Sequence, residues 1–252
     1  MKESGVNIAV LVDGDNAQPK LIKEIVEEVS KYGKATIRRI YGDWTTPQMN
    51  GWKSVINQHS FNPIQKFSYT TGKNSTDSSL IIDAMDILHG DNINGFCIVS
   101  SDSDYTGLAK RIREEGMFVM GIGEKKTPEA FMRSCEVFTY SENLLEEDEQ
   151  VNETINAKKE NRTKQIIQKK TLSTEDARTI HKAYLISVND GDGDVAYISQ
   201  IGKNIKKIDP SFDIRTYGYS SMKKLFEGLA DYQVIKNEVN GLDYPLIKLK
   251  GQ

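Results

Sequence analysis

The chain has 252 residues, 38% of them apolar and 27% charged, with a formal net charge of −3, a balance that suits one large or two ordinary soluble domains. Apolar runs of about five residues are too short to span a bilayer, and Met1-Lys2-Glu3-Ser4-Gly5 carries no signal-peptide core, so no membrane partner and a cytoplasmic location are expected. Residues 1–150 hold 16 Lys and Arg against 23 Asp and Glu, whereas residues 151–252 hold 17 against 13, which suggests an acidic and a basic module with different tasks.

The first pattern is Asn7-Ile8-Ala9-Val10-Leu11-Val12-Asp13-Gly14-Asp15-Asn16. Five apolar residues ended by Gly14 predict a strand buried on both faces. Asp13 and Asp15 follow at its carboxyl end, where open α/β sheets bind ligands. Ionised groups beside a buried strand are costly without a cation or donors; for Asp15 or Asn16 alone, capping the next helix is the plainer role.

Pro19, then Leu21, Ile22, Ile25, Val26 and Val29 at helical spacing, predict a helix closed by Gly33. A strand is expected over 35–44, a helix over 48–59, and a short strand over 61–69 that Pro63 pushes to a sheet edge. Asp77 begins a helix whose packed side is Leu80, Ile81, Ala84, Met85 and Leu88, stopped by Gly90. Phe96-Cys97-Ile98-Val99, followed at once by Ser100-Ser101-Asp102-Ser103-Asp104, repeats the opening pattern. A helix over 105–115, a strand over 118–122, a short helix over 128–134 and a strand over 137–140 complete this half. Strands alternating with helices on short connections imply an α/β fold, a mainly parallel sheet with helices on both faces.

Residues 143–171, including Glu146-Glu147-Asp148-Glu149, lose the pattern and read as a charged linker. Ser173 suits an N-cap, with Glu175 and Asp176 in the first turn. Helices are expected from there, over 194–208 and over 220–230, then two strands at 232–236 and 246–249 about the turn-prone Asn240-Gly241. That order describes a winged-helix module. The division is therefore 1–142, 143–171 and 172–252. Cys97 and Cys135, far apart in apolar surroundings, suit buried free thiols in a reducing cytosol. His59, His89 and His181 fit no zinc spacing.

A parallel sheet brings Asp13 and Asp15, Asp102 and Asp104, and the helix-opening Asp77 to one edge. Two carboxylates about 4 Å apart repel by about 4 kcal/mol at an effective dielectric near 20. Oxygen ligands without His or Cys point to Mg²⁺ or Mn²⁺ as the cofactor. Asp83 lies about 9 Å further along its helix at 1.5 Å per residue and suits a supporting or structural place. Asn16 and Ser100 are short polar residues suited to orienting water or phosphate, or to turns. Ser100, Ser101 and Ser103 have no neighbouring His and no Gly-x-Ser-x-Gly elbow.

Val12-Asp13-Gly14-Asp15-Asn16, Lys73, Asp77 and Ser100-Ser101-Asp102-Ser103-Asp104-Tyr105 resemble the motifs of the NYN domain, a PIN-like nuclease family, over about residues 6–142. The resemblance implies a Rossmann-like sheet and a metal-dependent ribonuclease. Asp13, Asp77 and Asp102 would be metal ligands completed by Asp104, with Asn16, Ser100, Asp83 and Lys73 in support. Ile198-Ser199-Gln200-Ile201-Gly202, then Pro210-Ser211-Phe212-Asp213-Ile214-Arg215-Thr216-Tyr217-Gly218-Tyr219 and Lys223-Lys224-Leu225, resemble the OST-HTH or LOTUS domain, a winged-helix module associated with RNA. Tyr217 and Tyr219 would stack on bases, and Lys206, Lys207, Arg215, Lys223 and Lys224 would meet phosphates. Tyr217 as a core residue and the lysines as a solvated face is the plainer alternative.

The expected activity is hydrolysis of RNA phosphodiester bonds, with the cation activating water and neutralising charge on the attacked phosphate. Lys73, Arg111 and Lys125 or Lys126 are candidates for guiding the backbone. One rival is a non-catalytic RNA-binding adaptor. Another is a phosphatase, because Asp13-Gly14-Asp15 also resembles the haloacid-dehalogenase nucleophile motif, although Ala17 stands where that family places Thr or Val. The sequence leaves oligomeric state open, a homodimer included.

Overall fold

Ile8, Val10 and Val12 point to one side of the first strand and Ala9 and Leu11 to the other, and all five are fully buried. This period of two divides the apolar run between two cores. In the first, Ile8, Val10 and Val12 meet Ile22, Ile25 and Val29 of one helix and Leu21 of the 3-10 turn that leads into it. In the second, Ala9 and Leu11 meet Leu80, Ala84 and Leu88 of another. Each such side chain stabilises by roughly 1.5–3 kcal/mol when buried.

The computed structural model describes residues 6–67, 75–90, 92–144, 171–189, 194–239 and 242–251. Lys73, most of the expected linker and the Asn240-Gly241 turn lie outside the described residues. The chain divides into two compact units, Met1–Thr154 and Ile155–Gln252.

The first unit contains β1 (Asn7–Asp13), β2 (Lys34–Gly42), β3 (Asn62–Gln65), β4 (Gly95–Val99), β5 (Phe118–Gly123) and β6 (Val137–Tyr140). They form one sheet in the order β3-β2-β1-β4-β5-β6 with every pairing parallel. Its helices include α1 (Ile22–Ser30), α2 (Asn50–Lys53), α3 (Val55–Gln58), α4 (Ser75–Leu88), α5 (Thr106–Glu114) and α6 (Glu129–Ser134). Pro63, which cannot donate to a ladder, sits in the edge strand β3 as expected. The helix expected over 48–59 is instead two short helices meeting at Ser54, in a segment where Asn50, Gly51 and Ser54 are poor helix formers. Gly116, at φ +73°, ends α5 in the left-handed conformation that glycine adopts without strain.

The second unit has α7 (Thr174–Asn189), β7 (Val195–Tyr197), α8 (Ile198–Ile208), α9 (Met222–Gly228), β8 (Tyr232–Ile235) and β11 (Leu246–Leu249), with a small antiparallel pair β9 (Glu238–Val239) and β10 (Leu242–Asp243). The order β7-β11-β8 makes an antiparallel sheet that packs on the helices through Ala196, Ile247 and Tyr232. The start of the helix expected over 194–208 is a strand, because Val195–Tyr197 finds a ladder partner in Leu246–Lys248 and tertiary pairing overrides local periodicity. Ser173 caps α7 by accepting from the Asp176 amide at 3.0 Å. No helix among the described residues is long and apolar enough to cross a membrane.

Candidate active site

In this strand order the chain reverses direction across the sheet between β1 and β4, which makes their carboxyl ends a topological switch point. β1 ends at Asp13. β4 runs into Ser100-Ser101-Asp102-Ser103-Asp104, and α4 brings Asp77 in its first turn. One carboxylate oxygen from each of Asp77, Asp102 and Asp104 lies within 4.8 Å of the other two. Asp13 is outside that trio.

Local bonds hold these ends in place. Asp102 Oδ1 accepts from the Asp104 amide at 2.9 Å and caps the 3-10 turn Ser103–Tyr105. The Asp102 amide donates to Ser100 Oγ at 3.1 Å, and that hydroxyl donates to Asp13 Oδ2 at 3.0 Å. Gly14 is required by close approach, since a Cβ there would stand 2.7 Å from the Tyr41 carbonyl oxygen and from Met49 Cε. Its own carbonyl accepts from the buried Trp52 indole at 3.0 Å.

Asp13 is fully buried. Its carboxylate accepts from Asn16 Nδ2 at 2.7 Å, Ser100 Oγ at 3.0 Å and the Asp15 amide at 3.2 Å, with the Tyr105 hydroxyl 3.2 Å away. Burial raises its pKa above the ordinary value, against the lowering by Asn16 and Ser100. Burial likewise raises that of Asp77, with Tyr105 opposing and the charges of Asp13, Asp102 and Asp104 adding. Asp77 is 9% exposed, Asp102 half-buried and Asp104 exposed, so the trio opens outward from a buried floor. Crowded acids on a desolvated base, offering oxygen atoms alone, are the donor chemistry of a hard divalent cation. The trio fits that group.

The remaining expected residues divide. Asn16 and Ser100 join the site through Asp13. Asp83 does not: it takes an ion pair from Arg39 and a hydrogen bond from the Tyr41 hydroxyl, tying α4 to β2. Arg111 pairs with Glu115 on its own helix, and Lys126 with Glu124 at 2.7 Å on the surface. Two residues were not singled out from the sequence as site residues. Thr76 donates to Asp15 Oδ2 at 2.9 Å, joining the β1 loop to α4. Tyr105, fully buried, reaches Asp77 Oδ1 at 2.8 Å. A tyrosine directly after the Asp102-Ser103-Asp104 turn was the available signal.

In the second unit, Arg215 lies against Asp213, donating from Nε at 3.0 Å to each oxygen and from Nη2 at 2.6 Å. The two side chains are 17% and 8% exposed. Although burial alone would raise the Asp213 pKa, the Arg215 guanidinium holds it below the ordinary value. Tyr217 donates to Asp176 and packs against Phe212 at 6.3 Å between ring centroids. Tyr219 is half-buried against the core beside Gly228. These three side chains are engaged within the unit. Lys223 meets Asp243 at 3.0 Å, Lys224 meets Ser220 at 2.9 Å, and Lys206 donates to the Pro210 carbonyl at 3.1 Å. Lys207 and Lys224 are exposed.

Residues 7–144 match the NYN domain and residues 169–242 the OST-HTH/LOTUS domain. No curated protein matches the chain. Among solved structures, a protein of unknown function from Vibrio parahaemolyticus is similar at 17% identity and a TM-score of 0.48, over 56% of this chain and 95% of that one.

Proposed function

The chain belongs to the NYN domain family, and from that premise we propose that it is a divalent-metal-dependent ribonuclease whose C-terminal module holds RNA. The observation that carries this reading is the convergence of Asp77, Asp102 and Asp104 at the switch point of the sheet. These three would hold Mg²⁺ or Mn²⁺, with Asp13 beneath them. Such a cation activates water and neutralises charge on the attacked phosphodiester. The chain's own residues aim the carboxylates: Ser100 joins Asp13 to the backbone of Asp102, and Asp102 sets the turn that carries Asp104. Lys125 and Lys126 offer cationic heads for the RNA backbone, and the exposed Lys126–Glu124 pair is weak enough to yield. The buried Asp13, surrounded by donors, favours hydrolysis by water over a phosphoenzyme formed on that residue. The OST-HTH/LOTUS match and the exposed Lys207 and Lys224 support RNA as the partner of the second unit. Both cysteines are buried and free, which suits a reducing compartment.

The test is incubation with single-stranded and structured RNA in Mg²⁺ or Mn²⁺. Fragments with 5′-phosphate and 3′-hydroxyl ends are expected, with EDTA stopping the reaction and Asp102→Asn binding RNA without cutting it. Unimpaired cleavage by Asp102→Asn would overturn the site assignment. RNA bound but never cut by the wild type would make the protein an adaptor.

A further inference from the structure

A phenol has one proton to donate. Tyr105 places that proton between two carboxylates from different parts of the chain, 2.8 Å from Asp77 Oδ1 and 3.2 Å from Asp13 Oδ2. The ring is fully buried and leans on Phe131 at 6.3 Å between centroids, so the hydroxyl is held in place from behind. Asp13 has three further donors in Asn16, Ser100 and the Asp15 amide. The shorter contact is therefore the one to expect Tyr105 to satisfy, and it fixes one oxygen of Asp77. A phenol, with an ordinary pKa of about 10, carries its proton at neutral pH, so the hydroxyl is a donor there.

A carboxylate on an open helix start turns freely about its terminal bond unless an outer donor holds it. Asp102 and Asp104 are fixed by the 3-10 turn they build. Asp77 comes from the separate helix α4, whose first turn Thr76 ties to the β1 loop, and the Asp77 carboxylate itself is met from the turn after β4 by Tyr105.

We propose that Tyr105 is a positioning residue for the cation: its hydroxyl holds Asp77 in register with Asp102 and Asp104. The inference rests on the metal-site reading above and adds to it the residue that preorganises the ligand set. Outer donors of this kind change metal affinity by about 10–100-fold when removed.

Isothermal titration of the full chain with Mn²⁺ tests it without reference to RNA cleavage. Tyr105→Phe keeps the ring and loses the proton, and it should bind Mn²⁺ at least tenfold more weakly while keeping the wild-type circular dichroism. Tyr41→Phe, which removes the hydroxyl that bonds Asp83 away from the trio, should bind as the wild type does. A loss smaller than tenfold in Tyr105→Phe, or an equal loss in Tyr41→Phe, overturns the proposal and leaves the metal site standing. A wild type that binds no Mn²⁺ removes both. If Tyr105→Phe does not fold, the ultraviolet difference spectrum of the wild type on Mg²⁺ addition decides. A perturbed buried-tyrosine band is expected, and a flat spectrum overturns the inference.

Discussion

The hydroxyl of Ser100 donates to the carboxylate of Asp13 at 3.0 Å across the junction of β1 and β4, two residues 87 apart in sequence. Because Ser100 Oγ also accepts from the Asp102 amide at 3.1 Å, one short side chain links the buried acid to the turn that carries two of the three clustered acids. Ser100→Ala should keep the fold and lower RNA cleavage about 10-fold or more, since it frees both ends of that link. Single-turnover rates at saturating Mn²⁺, with the circular dichroism spectrum as the control, check this.

Asp77, Asp102 and Asp104 repel one another without a cation, and burial raises the pKa of Asp77. A raised carboxylate pKa means that stability is fully present below the unfolded value and is lost as pH rises through the folded one. Asp77→Asn should therefore raise the melting temperature of the EDTA-treated protein at neutral pH, and the gain should shrink as the pH falls towards the carboxylate range. Melting curves of both proteins across pH measure it; a lower melting temperature at neutral pH counts against the reading.

Mg²⁺ should stabilise the wild type thermally, by about 2.7 kcal/mol at a hundred times its dissociation constant. EDTA should reverse the shift, and Asp77→Asn should show little of it. Calorimetric melts with and without the ion decide the matter.

Asp83 holds Arg39 and the Tyr41 hydroxyl but stands apart from the trio. Asp83→Ala would strip partners from both, and leaving such groups unmatched costs about 1–3 kcal/mol. The variant should unfold more easily in urea yet bind Mn²⁺ with unchanged affinity. An affinity loss would place Asp83 in the site after all.

Asp213 is held below the ordinary carboxylate pKa by Arg215. A depressed pKa adds stability above the unfolded value, about 3.9, and loses it as pH falls through the folded one. Asp213→Asn should destabilise the second unit at neutral pH and flatten its loss of stability in acid. Lys207→Ala with Lys224→Ala should leave stability alone and weaken RNA binding, reducing the salt slope by about 1.4 for single strands. Fluorescence titrations across salt concentrations read that slope.

Much of this protein was legible in one dimension. The apolar run Ile8 to Val12, its repeat at Phe96 to Val99 and the acids following each determine a parallel sheet with carboxylates at one rim, because strand burial and helix periodicity are local properties of the chain. Pro63 likewise marked its strand for an edge. Other features depended on which segments became neighbours. The pairing of β1 with β4 set Ser100 against Asp13, and the packing of α4 set Asp77 against Tyr105. The same holds where local pattern misled, since Val195 lies on a strand because β11 comes alongside, and for the partner of Arg215, which is Asp213. Hydrogen-bond and ion-pair partners are chosen by proximity in space, so only the tertiary structure could separate Asp13 from the trio it underlies.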